Sequence, residues 1–343
     1  MSVEKFIVSR DDSVYEAWPD VVLTKSGKLI CVFTECVHHG DRTDSRLALC
    51  ESSDRGRTWS PKKYLTEKTS KDDHWNSARI TRLRDDTLVI VCDRARETSN
   101  EAQAVNFMWK SHDDGHTWEE PIWTPADGIV PDKLLELSCG RWILTTHKFG
   151  AETGKLEISL IYSDDQGRSW SSKVKVAGDP RYNLCEASIL ETKSGDLVAF
   201  IRENSWKGLD CMKAISHDQG LTWDGVYTMP IPACHRPVSG YLQSGEIMIT
   251  YRFMQGGHGS FGLFTQNFFA ALIDDASALS TNRSEQSVRI MPIDYDRSPV
   301  SDLGYSGWVQ FEDGEIYIVN YIVDDAPKAH IRGYSLKKSD FIL

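Results

Sequence analysis

The segments SSDRGRTW (52–59), SHDDGHTW (111–118), SDDQGRSW (163–170) and SHDQGLTW (216–223) write one pattern four times, Ser-x-Asp-x-Gly-x-Thr/Ser-Trp. Each reads as a hairpin turn. The Asp carboxylate accepts backbone N–H bonds inside the loop, the Gly takes positive φ, and the hydroxyls satisfy the remaining turn groups. The Trp that closes each box supplies an apolar body to pack between neighbouring sheets. Asp54, Asp113, Asp165 and Asp218 therefore read as scaffold acids. Neither these short loops nor His112 and His116 offer the ligand set of a calcium or zinc site, so no metal and no cofactor is expected.

Working outward, a second repeat runs in step with the boxes and continues where they stop. It is an apolar strand, a turn centred on Gly or Asp, and another apolar strand: WPDVVLTKSGKLICVFT (18–34), SARITRLRDDTLVIVCD (77–93), PDKLLELSCGRWILTTH (131–147), EASILETKSGDLVAFIR (186–202), RPVSGYLQSGEIMITYR (236–252) and YSGWVQFEDGEIYIVNY (305–321). Short runs rich in Val, Ile, Leu, Thr and aromatics around a Gly-containing turn are strand–turn–strand units. Six of them at blade-sized spacing fill residues 1–343 and predict an all-β chain, a single six-bladed β-propeller domain. Units five and six carry no box. Residues 255–300 are the least regular stretch, and Gly256, Gly257, Gly259 and Gly262 predict a loop there.

The totals narrow the function. A chain of 343 residues, 40% hydrophobic and 26% charged, is globular and buries a sizeable core. The net charge of −11 excludes a general nucleic-acid or anionic-membrane binder, since phosphate recognition needs an excess of Lys and Arg. No run of apolar residues approaches the length of a membrane span. The eight cysteines lack paired zinc spacing and read as buried free thiols. Residues 1–10 have no signal-peptide pattern, which points to the cytoplasm.

Aligned on their turns, the hairpins bring their free ends to one edge. The first ends are Trp18, Ser77, Pro131, Glu186, Arg236 and Tyr305; the second are Thr34, Asp93, His147, Arg202, Arg252 and Tyr321. Three Arg, two acids, a His and two Tyr at such a position predict a ligand site.

The boxes and their placement resemble the sialidase (neuraminidase) superfamily along nearly the whole chain. The resemblance implies the sialidase-like propeller fold and, for the site, a Glu that opens blade four with an Arg sixteen residues later, matched by Glu186 and Arg202. It also implies a nucleophilic Tyr in a Tyr-Ser segment before an Asp-Gly turn, matched by Tyr305, Ser306, Asp313 and Gly314. A further site Arg is expected from blade five, as Arg252 or Arg236. The general acid is expected in the loop after the first hairpin, where CVHHGDRTDSR offers Asp41 and Asp44, and Asp41 is preferred. One element departs: the Arg of the sialidase blade-one motif is absent, and Tyr15-Glu16-Ala17-Trp18-Pro19 puts Ala17 in its place. Arg79 or Arg94 of blade two is expected to compensate, with Asp93 and His147 also lining the ligand.

These residues fit a retaining exo-glycoside hydrolase for a carboxylate-bearing sugar, sialic acid or a relative. Guanidinium forks hold the carboxylate, Tyr305 attacks, and Glu186 takes the phenolic proton. Two alternatives stand beside it. One is a uronate lyase using His147 or Tyr305 for proton transfer, with Arg202 neutralising the carboxylate. The other is a carbohydrate-binding propeller without catalysis. The oligomeric state is not legible in the pattern.

Overall fold

Each of the six hairpins is the first pair of strands of its own antiparallel sheet in the computed structural model, which describes residues 3–70, 72–97, 102–254 and 266–341. Gly256, Gly257, Gly259 and Gly262 lie outside the described residues. The chain gathers into two compact units. The first comprises Met1–Thr124, Gly128–Lys133 and Asp296–Leu343; the second comprises Pro125–Asp127 and Leu134–Tyr295.

The first unit holds blades one, two and six. Blade one is Tyr15–Leu23, Leu29–Cys36, Arg46–Ser52 and Lys63–Tyr64. Blade two has its first strand split into Asp73–Trp75 and Arg79–Arg82, followed by Leu88–Glu97, Ala102–Ser111 and Ile122–Thr124. Blade six takes Leu303–Gln310, Glu315–Ile322 and His330–Lys337 from one end of the chain and Glu4–Ser9 from the other. That closure explains why blade six lacks a box: its fourth strand does not follow its third, so no turn joins them.

The second unit holds blades three, four and five in chain order, each four-stranded. In blade five the short helix Asp275–Leu279 takes the place of a box between Gln266–Ile273 and Arg289–Tyr295. Asp274 caps it through the Ser277 N–H, and the buried Lys213 donates to the Ser277 and Ala278 carbonyls, each at 2.8 Å.

Cores form between successive sheets within each unit. Leu137, Ile143, Ile158 and Leu160 of blade three meet Ala187, Ile189, Leu197 and Ala199 of blade four. Blades one and two meet through Ile30, Val32, Ile80, Ile90 and Trp109. A strand covered on both faces carries no polar alternation. Accordingly every residue of Leu29–Cys36, Leu197–Glu203 and Glu315–Ile322 is buried. Seven cysteines are buried as free thiols, while Cys139 is exposed.

The boxes are built as the sequence reads. In each, the Ser Oγ donates to the Asp and accepts from the Gly N–H, and the Asp accepts from the Thr or Ser backbone N–H and hydroxyl. Two successive left-handed residues make the turn: Arg55 and Gly56, Asp114 and Gly115, Gln166 and Gly167, Gln219 and Gly220. The non-glycine member of each pair is a feature that the sequence pattern does not reveal.

Candidate active site

The expected strand ends are not ends. In blades one, four, five and six the strands run on one to three residues past them, and the first strand is interrupted there by a bulge; in blade two the first strand is split, and in blade three it begins only at Leu135, beyond Pro131. In blades one, four, five and six the register jumps across Ala17/Asp20, Cys185/Ser188, His235/Val238 and Gly304/Gly307. The residue opening each bulge is left-handed: Trp18 (φ 55°), Glu186 (φ 50°), Arg236 (φ 51°) and Tyr305 (φ 51°). An inserted residue keeps the ladder paired on either side while re-aiming one side chain. Bulky residues avoid this conformation unless their surroundings impose it, and such strain gathers at functional sites. The opposite strand supplies Thr34, Arg202, Arg252 and Tyr321, each paired with the residue just before the bulge. The positions picked by the turn-based alignment in these four blades are thus bulge positions rather than strand ends.

In the second unit these positions are ionic. Glu186 accepts from Arg202 Nη1 at 2.7 Å, and both are about 5% exposed. Arg202 Nη2 donates to Asn204 Oδ1 at 2.6 Å, and its Cζ lies 5.8 Å from the Trp206 ring centroid. The Glu186 backbone N–H points at His147 Nδ1, 3.4 Å away. Burial pushes the Glu186 carboxyl up, but the combined field of Arg202, His147, Arg252 and Arg236 outweighs it and holds the group below the usual carboxylate range. His147 is lowered to about 4, first by burial and then by Arg202 and Arg236 against the pull of Glu186. Burial likewise holds His235 well below its ordinary value. Arg236 is wholly buried, and Arg252 Nη1 donates to Gln266 Oε1 at 3.4 Å. Three guanidiniums thus act on one carboxylate beside two neutral imidazoles.

In the first unit three of the four, Trp18, Tyr305 and Tyr321, are aromatic, and the fourth is Thr34. Tyr305 is 9% exposed, with its ring 6.4 Å from Tyr321. The Tyr321 hydroxyl donates to Asp302 Oδ1 at 2.8 Å; the Tyr15 hydroxyl and His39 Nδ1 both meet Asp302 Oδ2. Burial, then Tyr321 and Asp302, raise the Tyr15 phenol far above its ordinary value, so it stays protonated as a donor. Trp18 lies edge-to-face with His39 at 5.3 Å and with Tyr321 at 6.0 Å.

The remaining expected site residues have other contacts. Arg79 is fully buried and donates to the carbonyls of Pro19 (3.2 Å) and Ser306 (2.9 Å), each the residue directly after a left-handed bulge residue. Its Nε lies 3.5 Å from Asp20, which also pairs with Lys133 and accepts from the Val21 and Ile80 N–H groups. Arg79 holds the backbone beneath Trp18 and Tyr305 from inside the fold. Gly307 permits that convergence, since a Cβ there would lie 1.9 Å from Asp20 Oδ1. Arg94 is held by Asp73 at 2.6 and 3.0 Å. Asp93 is buried, accepts from Asn76 Nδ2 at 3.0 Å, and is raised chiefly by burial. Asp41 closes an Asx turn on the Thr43 N–H and hydroxyl. Asp302, His39 and Asn76 join the candidate site through contacts that sequence reasoning missed. The only signals were the position of Asp302 three residues before Tyr305 and the polar density of the 37–45 loop. Among the described residues no group of three or more His, Cys, Asp or Glu is arranged to hold a metal ion.

Comparison with known proteins agrees with this architecture. The family model for the BNR repeat-like domain matches residues 65–318. A sialidase of Bacteroides fragilis is 30% identical over 136 residues, which cover 37% of this chain and 23% of that protein, so the match spans under a quarter of its length. A Dyadobacter fermentans protein of unknown function superposes with a TM-score of 0.80 at 20% identity, covering 98% of both chains. The Hadza microbial sialidase Hz136 superposes with a TM-score of 0.71 at 17% identity, covering 98% of this chain and 69% of that one. The fold is the sialidase-like six-bladed β-propeller.

Proposed function

The chain belongs to the BNR repeat-like family, and on that premise we propose that it is a retaining exo-glycoside hydrolase for a carboxylate-bearing sugar. The observation that carries this reading is the set of three arginines, Arg202, Arg236 and Arg252, acting on the single buried carboxylate of Glu186. Guanidinium forks suit a ligand carboxylate because they donate paired, charge-assisted bonds and never lose their charge. The sialidase name of the Bacteroides relative supports the same ligand class.

Tyr305 is the nucleophile and Glu186 its base. The assignment rests on the matched motifs and on both residues holding the left-handed bulge position of their own blades. At rest Glu186 is a weak base, because the arginines stabilise its anion. A substrate carboxylate that engages Arg202 shares that guanidinium and returns basicity to Glu186, so proton abstraction follows binding. The Tyr305 Oη proton passes to Glu186 as the oxygen bonds to the anomeric carbon and the glycosidic bond breaks. Asp41 protonates the leaving oxygen, and water then cleaves the tyrosyl–sugar bond with retention. A lyase is the second reading. It is favoured by His147, whose depressed pKa of about 4 leaves it an unprotonated acceptor at neutral pH.

The test is a product-resolved screen against α-linked sialosides, related 2-keto-3-deoxy acids and uronate oligosaccharides, read by mass and near-ultraviolet absorbance. A released sugar one water heavier than its bound residue, with retained configuration, is the expected product. An unsaturated product replaces hydrolysis with the lyase reading, and binding without turnover across the panel overturns both.

A further inference from the structure

The loop between the second and third strands of blade one carries Arg42, a partly exposed side chain that no motif singles out. Its Cζ lies 3.6 Å from the centroid of Trp18, the left-handed bulge residue of that blade. Its Nε donates to the His39 carbonyl at 2.8 Å and its Nη1 to Asn76 Oδ1 at 3.2 Å. Asn76 in turn donates through Nδ2 to the buried Asp93, which fixes its amide with the oxygen towards Arg42. The guanidinium is thus held on one face by an indole and at two of its five donors by neutral oxygens.

What distinguishes Arg42 is the absence of a carboxylate partner among the described residues. Arg46 also lies over an aromatic ring, Tyr64 at 3.4 Å, but it is spent on Glu35 at 2.7 Å. Arg94, near Trp75, is spent on Asp73. Arg42 is oriented with equal care and left unneutralised, with both N–H groups of Nη2 making no bond among the described residues. Trp18 links it through Tyr321 to Tyr305 by ring contacts of 6.0 and 6.4 Å.

We propose that Arg42 receives the carboxylate of the sugar through its Nη1–Nη2 edge, doing from the 37–45 loop what an arginine at Ala17 would do from the strand. This rests on the acidic-sugar reading. A planar, doubly accepting anion is the ligand that a stacked, edge-exposed guanidinium selects, and fixing the fork in advance lowers the ordering cost of binding.

The experiment is calorimetric titration of the full chain with N-acetylneuraminic acid, D-glucuronic acid and the neutral methyl ester of each. Wild type is expected to prefer one acid over its ester. Arg42→Gln is expected to lose roughly tenfold or more in affinity for that acid while its ester affinity stays unchanged, the loss of one charge-assisted pair. Arg42→Lys, which keeps the charge but loses the fork and the stack, falls between them and serves as the test if Arg42→Gln does not fold. Acid affinity that survives both changes but collapses in Arg202→Gln overturns the role of Arg42 and leaves the acidic-sugar reading standing. Wild type that binds each acid no better than its ester overturns the acidic-sugar reading and the role of Arg42 with it.

Discussion

The bulge of blade six and the bulge of blade four are the same backbone device carrying opposite chemistry. At Tyr305 the left-handed residue is surrounded by Tyr321, Tyr15, Trp18 and the shared acceptor Asp302. At Glu186 it is surrounded by Arg202, Arg236, Arg252 and His147. The aromatic cluster holds one carboxylate, Asp302, that collects hydroxyl and imidazole donors, and one cation, Arg42, stacked on Trp18. The ionic cluster is held by charges acting on one another. The repeat thus specifies where a side chain is displayed, and the residue at that place specifies what it does.

The sharpest way to break the comparison is Tyr305→Phe. It removes one hydroxyl from a cluster held by ring packing, so the fold and the affinity for an acidic sugar should persist while turnover falls by roughly three orders of magnitude or more. Full activity in that variant would remove Tyr305 from the chemistry.

The ionic cluster should respond in the opposite sense, through stability. Arg202→Met leaves Glu186 buried without its nearest partner, and breaking a buried pair from one side costs about 3 kcal/mol or more. Urea denaturation should show this loss, with part of it recovered in the double variant Arg202→Met/Glu186→Gln. No recovery would mean that the pair is not coupled.

Arg79→Met tests whether the aromatic bulges depend on their support. Two carbonyls, of Pro19 and Ser306, lose their donor, for an expected destabilisation of about 2 kcal/mol. If Arg79 positions Tyr305, kcat should fall in this variant while KM changes little. A stability loss with unchanged kcat would reduce Arg79 to scaffold alone. The boxes supply the baseline for a purely structural element. Ser216→Ala removes a hydroxyl that donates to Asp218 and accepts from the Gly220 N–H, which should cost about 1 kcal/mol with no effect on turnover.

A further check on the buried imidazoles lies in the pH dependence of stability. His147 and His330 are lowered to about 4, so between their ordinary value of 6.5 and about 4 the unfolded chain binds more protons than the folded one. Stability is therefore complete above the upper value and declines as pH falls through this window. The box acids Asp54 and Asp165, lowered to about 2 chiefly by their Thr58 and Ser169 partners, extend the decline from 3.8 downward. Thermal melts across pH 7 to 3 should show the upper limb, and His147→Gln should flatten part of it.

Much of this was legible in the residue order because it rests on local rules. A box is closed by hydrogen bonds spanning at most four residues, so Ser52, Asp54, Gly56 and Thr58 announce their turn wherever the chain goes. The hairpins announce themselves by apolar runs around Gly-containing turns, and Glu186 with Arg202 by a sixteen-residue spacing that antiparallel pairing turns into proximity. The long-range contacts follow no such rule. Arg79 reads as a free cation until Pro19 and Ser306, one sixty residues before it and the other 227 after it, are seen to take its donors. Asp302 reads as a loop acid until Tyr15 and His39 meet it from the far end of the chain. The amino-acid sequence by itself determined the repeat, the strands and the positions that display side chains, because those depend on neighbours within one hairpin. Only the tertiary structure decided which charges are committed and which are open, because that depends on partners brought together by the packing of one blade on the next.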